Sequence, residues 1–102
     1  MNYRIALSPG AQTDINSAAD WYLNIDPNLA LRFLVEIRTT LQRITRMPYA
    51  FPIHKAPFRR TRLKRFPYSI YYFVGTNVVN VEAIFHKRRS DLAWITRRDG
   101  RR

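Results

Sequence analysis

Cysteine is absent from the 102-residue sequence, and glycine occurs only three times. Without cysteine there are no disulfide scaffolds and no thiolate zinc sites. With so little glycine, and six prolines, collagen-like and low-complexity chains are excluded. No apolar run approaches the ~20 residues that span a bilayer. The opening Met1-Asn2-Tyr3-Arg4 lacks the apolar stretch of a signal peptide. Together these absences predict one domain over residues 1–102, cytoplasmic, with no membrane association. Acidic residues are scarce too, seven against 18 Lys and Arg.

Hydrophobic residues make up 46% of the chain, with six Phe, six Tyr and two Trp. That is enough to bury a core, so a disordered tail is excluded. At this length the core is thin, and either marginal stability or a stabilising partner is expected. The net charge is +11, and it is uneven. Residues 1–50 contribute +1 and residues 51–102 contribute +10; 15 of the 18 cations are Arg. Arg forks bind phosphate and carboxylate and stack on bases. The partner class this charge predicts is a polyanion, or an acidic protein that mimics or displaces one. The plainer reading is a charge that only solubilises.

Tyr3 to Leu7 reads as a short strand. Ser8-Pro9 is a helix start, with a capping hydroxyl followed by a proline at the first helical position. Ala11, Ile15, Ala18, Tyr22 and Ile25 then share one helical face, leaving Asp14 and Asp20 to face water. Asp26-Pro27 repeats the start signal and ends the first helix by Ile25. Ala30, Phe33, Leu34, Ile37, Leu41 and Ile44 continue at helical spacing until Pro48. Residues 9–47 thus predict a tight antiparallel helix hairpin.

Residues 48–57, with Pro48, Pro52 and Pro57, read as an irregular connector. Strands follow at Phe58–Leu63, Phe66–Val74 and, after the turn Gly75-Thr76-Asn77, Val78–His86. In the second of these, Ile70, Tyr72 and Val74 share one face. In the last, alternation places Val79, Val81, Ala83 and Phe85 on one face, and Asn80, Glu82 and His86 on the other. Asp91-Leu92-Ala93-Trp94 reads as a short helix before a basic tail. The predicted fold is α+β: an N-terminal strand, a helix hairpin on one face of a mainly antiparallel four-stranded sheet, and a short C-terminal helix. The other sheet face is left open, presenting Asn80, Glu82 and His86 among arginines.

The residues in this order resemble the RelE/ParE superfamily of bacterial type II toxins, also called plasmid stabilisation proteins. The resemblance runs through Ala11-x-x-Asp14-Ile15, Trp21-Tyr22, Pro27-x-x-Ala30-x-Arg32-Phe33 and Met47-Pro48. It continues through Arg62-x-x-x-Phe66-Pro67-Tyr68-x-Ile70-Tyr71-Tyr72 and Val81-x-x-x-Phe85-His86-x-x-Arg89 to Trp94-x-x-Arg97. It implies a growth-inhibiting toxin, bound and neutralised by a cognate antitoxin through an acidic or amphipathic segment, with toxin and antitoxin forming an oligomer. It does not choose the target. RelE-like members cut messenger RNA on the ribosome, whereas ParE-like members poison DNA gyrase without chemistry of their own.

RNA cleavage needs an activated 2′-hydroxyl, a stabilised phosphorane and a proton for the leaving oxygen. If the chain is a nuclease, the candidates are His86 as acid or base, with Arg88 and Lys64 on the phosphate; Tyr68 and Glu82 are weaker ones. The reference pKa of histidine, about 6.5, suits that role. Target or nucleic-acid binding falls to Arg59, Arg60, Arg62, Arg65, Lys87, Arg89, Trp94 and Arg97. Each has a structural alternative. His86 can cap a strand end, Trp94 can pin the terminal segment to the sheet, and Arg59–Arg65 can be a charged edge that deters strand pairing. His54 stands without a second His or any Cys nearby, so no metal is expected, and no Gly-rich loop predicts a cofactor.

Two positions depart from the RelE-like pattern. Ser69 stands where that pattern has a strand Arg, and Trp94 where it often has a Tyr. Both departures favour gyrase inhibition over RNA cleavage. A further alternative is a non-toxic nucleic-acid-binding module.

Overall fold

The computed structural model describes residues 3–89. The chain order is β1 (Arg4–Leu7), α1 (Pro9–Ile25), α2 (Pro27–Arg46), β2 (Ile53–Lys55), β3 (Phe58–Arg62), β4 (Tyr68–Gly75) and β5 (Val78–His86). The sheet order is β1-β5-β4-β3-β2. β1 runs parallel to β5, and every other pairing is antiparallel. The expected C-terminal helix at Asp91–Trp94 lies outside the described residues. None of the described helices is long and apolar enough to cross a membrane.

Both helix starts form as their cap residues dictate. Ser8 Oγ accepts from Ala11 N–H at 2.9 Å, with Pro9 in the first turn. Asp26 serves both helices. Its N–H donates to Tyr22 O at 2.8 Å, closing α1, and its Oδ1 accepts from Asn28 N–H at 3.0 Å, opening α2. Such a cap is worth about 1 kcal/mol. A single extended residue therefore joins the helices, which forces the tight hairpin.

The sheet has five strands rather than four. Ile53–Lys55, inside the proline-rich connector, pairs with β3 through Ile53↔Arg59 and Lys55↔Phe58. Prolines on either side do not prevent this, because an edge strand tolerates missing donors. β4 begins at Tyr68 rather than Phe66, since Phe66 and Pro67 belong to the turn that precedes it.

The larger correction concerns β5. Tyr72 pairs with Val81 but Tyr71 pairs with Ala83, so Glu82 is an extra residue in the ladder. A β-bulge of this kind resets the alternation of side chains. Val79, Val81 and Ile84 join Ile70, Tyr72, Phe33 and Ile37 in the core beneath the helices. Ala83 and Phe85 join Phe58 and Tyr71 in a second cluster on the opposite face, with Phe73 against it. The predicted stripe of Val79, Val81, Ala83 and Phe85 is therefore split between two faces. His86 is moved with it, to the helix side.

Side chains of the first helix stabilise the bulge. Ser8 Oγ donates to Glu82 O at 2.9 Å, and Asp14 Oδ2 accepts from Ile84 N–H at 2.9 Å. β1 ends at Leu7, so α1 takes over as the partner of the β5 edge. Asp14 is thus half-buried and bonded, not turned to water as expected. Ile25 and Leu34, expected in the core, are 61% and 42% exposed. The Tyr72 hydroxyl donates to Pro48 O at 2.7 Å and ties the connector to the sheet. Burial pushes the Tyr72 pKa up to about 12, partly opposed by Arg59.

Candidate target-binding groove

On the sheet face away from the helices, β3 presents Arg60 and Arg62. Arg60 pairs with Tyr71 and Arg62 with Ser69 on β4. Both partners are buried, Tyr71 at 6% and Ser69 at 7% exposure. They floor an open groove of about 670 Å³ whose cations are Arg60, Arg62, Lys64, Arg65, Lys87 and Arg89. No carboxylate is among its described lining residues. Six cations with no carboxylate in that lining make a strongly positive concave surface, which attracts anionic partners.

The groove walls are held by hydrogen bonds from the backbone. Leu63 N–H donates to Tyr68 O at 2.9 Å, and Lys87 N–H to Pro67 O at 2.7 Å. The N–H groups of Lys64 and Arg65 both donate to the carboxylate of Glu36 on α2, that of Arg65 at 3.2 Å to Oε2. The Arg89 guanidinium lies 4.5 Å from the centroid of the Phe85 ring. An aromatic face under an arginine limits its motion and adds a cation–π attraction.

The other expected site residues lie elsewhere. His86 packs edge-on against Tyr68, ring centroids 5.1 Å apart, on the helix side of the sheet. Its Nδ1 accepts from Arg88 N–H at 3.1 Å. Asn80 does pair with Phe73, but Glu82 is buried in the bulge, so the open face is basic and aromatic rather than Asn-Glu-His. Arg88 is exposed in the turn after β5 and does not line the groove. Arg59 faces the helices: its Nη1 donates to Phe51 O at 2.7 Å, and its guanidinium lies over the Tyr49 ring at 5.1 Å. Trp94 and Arg97 lie outside the described residues.

Tyr68, at the end of the groove, has its pKa raised by burial, an effect that Arg89 opposes and Asp14 reinforces. At neutral pH its hydroxyl is a donor, not a base. Among the described residues no group of three or more His, Cys, Asp or Glu gathers as metal ligands would. Glu36 and Tyr71 were not foreseen at this site. Glu36 did leave a signal, as the one acid in a helix that carries Arg32, Arg38, Arg43 and Arg46.

Comparison with known proteins agrees with this architecture. A family model described as ParE toxin of type II toxin-antitoxin system, parDE, matches residues 5–91. A solved chain of the chromosomal ParDE TA system from P. aeruginosa superimposes with a TM-score of 0.73 at 18% identity, over 82% of this chain and 95% of that one. At that identity the likeness speaks for the fold. No curated protein matches the sequence significantly.

Proposed function

The chain belongs to the ParE toxin family of type II toxin–antitoxin systems, and we propose that it arrests growth by binding DNA gyrase, without catalysing a reaction, until a cognate antitoxin covers it. In this reading it works in the cytoplasm, and toxin and antitoxin assemble as an oligomer. One observation carries the non-catalytic part. The β5 bulge turns His86 to the helix side, so the basic groove holds cations but not the chain's best proton-transfer group. Phosphorane stabilisation without a positioned acid or base leaves the proton-transfer steps of RNA cleavage unsupplied. Binding an anionic or acidic target needs only the cations and the Tyr71 floor.

A specific observation favours RNA cleavage as the second reading. Arg62 lies directly across from Ser69, so a neighbouring strand returns a guanidinium to the place where a RelE-like strand Arg is missing. The two readings separate in one assay. Purified toxin is added to gyrase supercoiling reactions and, separately, to translating ribosomes with a defined messenger. Inhibited supercoiling with intact messenger supports the proposal. Unimpaired supercoiling at a large toxin excess contradicts it, and codon-register cleavage of the messenger establishes the second reading. Binding of nucleic acid without arrest of growth leaves the non-toxic module.

A further inference from the structure

The turn that bears Lys64 and Arg65 is shared by two depressions. One is the basic groove; the other, of about 600 Å³, lies along α2. The α2 groove is different in character. Leu31 and Val35, one helical turn apart, are 61% and 54% exposed along it. Arg32, Arg43, Lys64 and Arg65 surround them. Arg43 is half-buried, and its Nε–H is buried without a hydrogen-bond partner. A buried donor left unpaired is costly and marks a place where an acceptor is wanted.

Within this groove one acceptor is already in place. Two successive backbone N–H groups, of Lys64 and Arg65, converge on the Glu36 carboxylate. Successive N–H groups aimed at one point form an anion-binding nest. Here the two side chains that follow from the same residues are cations. We infer that the Lys64–Arg65 turn is a carboxylate site that Glu36 occupies in the free chain, and that an acidic amphipathic segment seated in the α2 groove takes it over.

The physical case for such an occupant has three parts. The bonds from Glu36 lie at the solvent-exposed surface, so its carboxylate exchanges them for water at small net cost. The exposed Leu31–Val35 strip offers an apolar anchor at the spacing that a partner helix reads. A second copy of this chain would bring another +11 to a groove ringed by arginines, so charge selects an acidic partner over self-association. The apolar strip selects a peptide over a nucleic acid, whose phosphates are better served by the basic groove. A partner held here also engages Lys64 and Arg65 from behind, withdrawing two of the six groove cations from the target. The inference rests on the antitoxin half of the proposed function and is independent of gyrase.

The test uses the full chain, isotope-labelled, and a designed helical peptide with leucines at i and i+4 flanked by glutamates. A glutamine version of the peptide is the control. The expected result is that the acidic peptide binds and shifts the amide resonances of Lys64 and Arg65. If Glu36 fills the site about nine-tenths of the time, Glu36→Ala tightens binding about tenfold, because the internal competitor is gone. Val35→Asp, at an exposed position, weakens binding at least tenfold with an unchanged melting temperature. The glutamine peptide binds neither protein with measurable amide shifts. Should Glu36→Ala fail to fold, Glu36→Gln takes its place and tightens binding several-fold, and millimolar acetate then shifts the same two amides. Unaltered affinity in the folded Glu36 variant overturns the inference. So does peptide binding that leaves the Lys64 and Arg65 amides unmoved, or dimerisation through Val35. Growth arrest by the same variants is scored separately, so that loss of toxicity is distinguished from loss of peptide binding.

Discussion

Asp14 Oδ2 accepts a hydrogen bond from Ile84 N–H at 2.9 Å, across 70 positions of sequence. A carboxylate on the first helix thereby closes the bulge that decides which way the end of β5 faces. Ser8 completes the arrangement through Glu82 O. Everything C-terminal to Glu82 on that strand, His86 included, takes its orientation from this junction.

Asp14→Ala therefore leaves the Ile84 amide without its partner near the core. The expected loss is about 1–3 kcal/mol, and a shift of roughly 4–8 °C in melting temperature for each kcal/mol in a domain of this size. Thermal unfolding measures it. Asp14→Asn, which keeps an acceptor oxygen, should lose less. A melting temperature equal to wild type for Asp14→Ala would show that the bulge holds without the helix carboxylate.

Tyr72 makes stability dependent on alkaline pH. Its pKa is raised from 10.0 to about 12 in the folded protein. Folding therefore favours the protonated phenol, and the contribution is complete below pH 10, then lost as pH rises through 12. Tyr72→Phe loses the bond to Pro48 O, worth about 1 kcal/mol at neutral pH. Its stability should fall less steeply than wild type between pH 10 and 12, as read from denaturant midpoints across that window. Parallel curves would contradict the assignment.

The groove makes a distinction that mutation can read. Arg60→Gln with Arg62→Gln removes one half-buried and one exposed cation from β3, while His86→Ala leaves the groove lining intact. For a single-stranded oligonucleotide used as a polyanion probe, the double variant should lower the salt slope of log affinity by about 1.4, at roughly 0.7 per lost phosphate contact. It should also lose growth arrest. His86→Ala should keep both. Arrest abolished by His86→Ala, in a protein that still folds, would restore the imidazole to the mechanism.

Much of this was legible in the sequence because the signals were local. Ser8-Pro9 and Asp26-Pro27 state both helix starts, since a cap and a fixed φ act within one turn. The strands expected at Phe66–Val74 and Val78–His86 form as Tyr68–Gly75 and Val78–His86, because their β-forming residues and the turn between them are local signals. Of the cations that the sequence singles out for target binding, Arg60, Arg62, Arg65, Lys87 and Arg89 line one groove. What escaped is nonlocal. One extra residue at Glu82 reverses the face of Ala83, Phe85 and His86, and nothing in a strict period of two announces it. The acceptor that stabilises it lies on a helix far away in sequence. β2 was hidden for a related reason, because a three-residue edge strand among prolines gains its pairing only from β3. Arg59 looks like its neighbours Arg60 and Arg62 in sequence, yet the pleat sends it to the helix side, where it holds the connector.

The central claim is that the groove binds its target without chemistry. Pulse-labelling after induction of the chain alone tests it most directly, with DNA and protein synthesis followed separately through the first minutes. An early stop in DNA synthesis while translation continues is the predicted result. An early stop in translation, with DNA synthesis continuing, would contradict it and make Arg62 and Lys64 the residues of a nuclease.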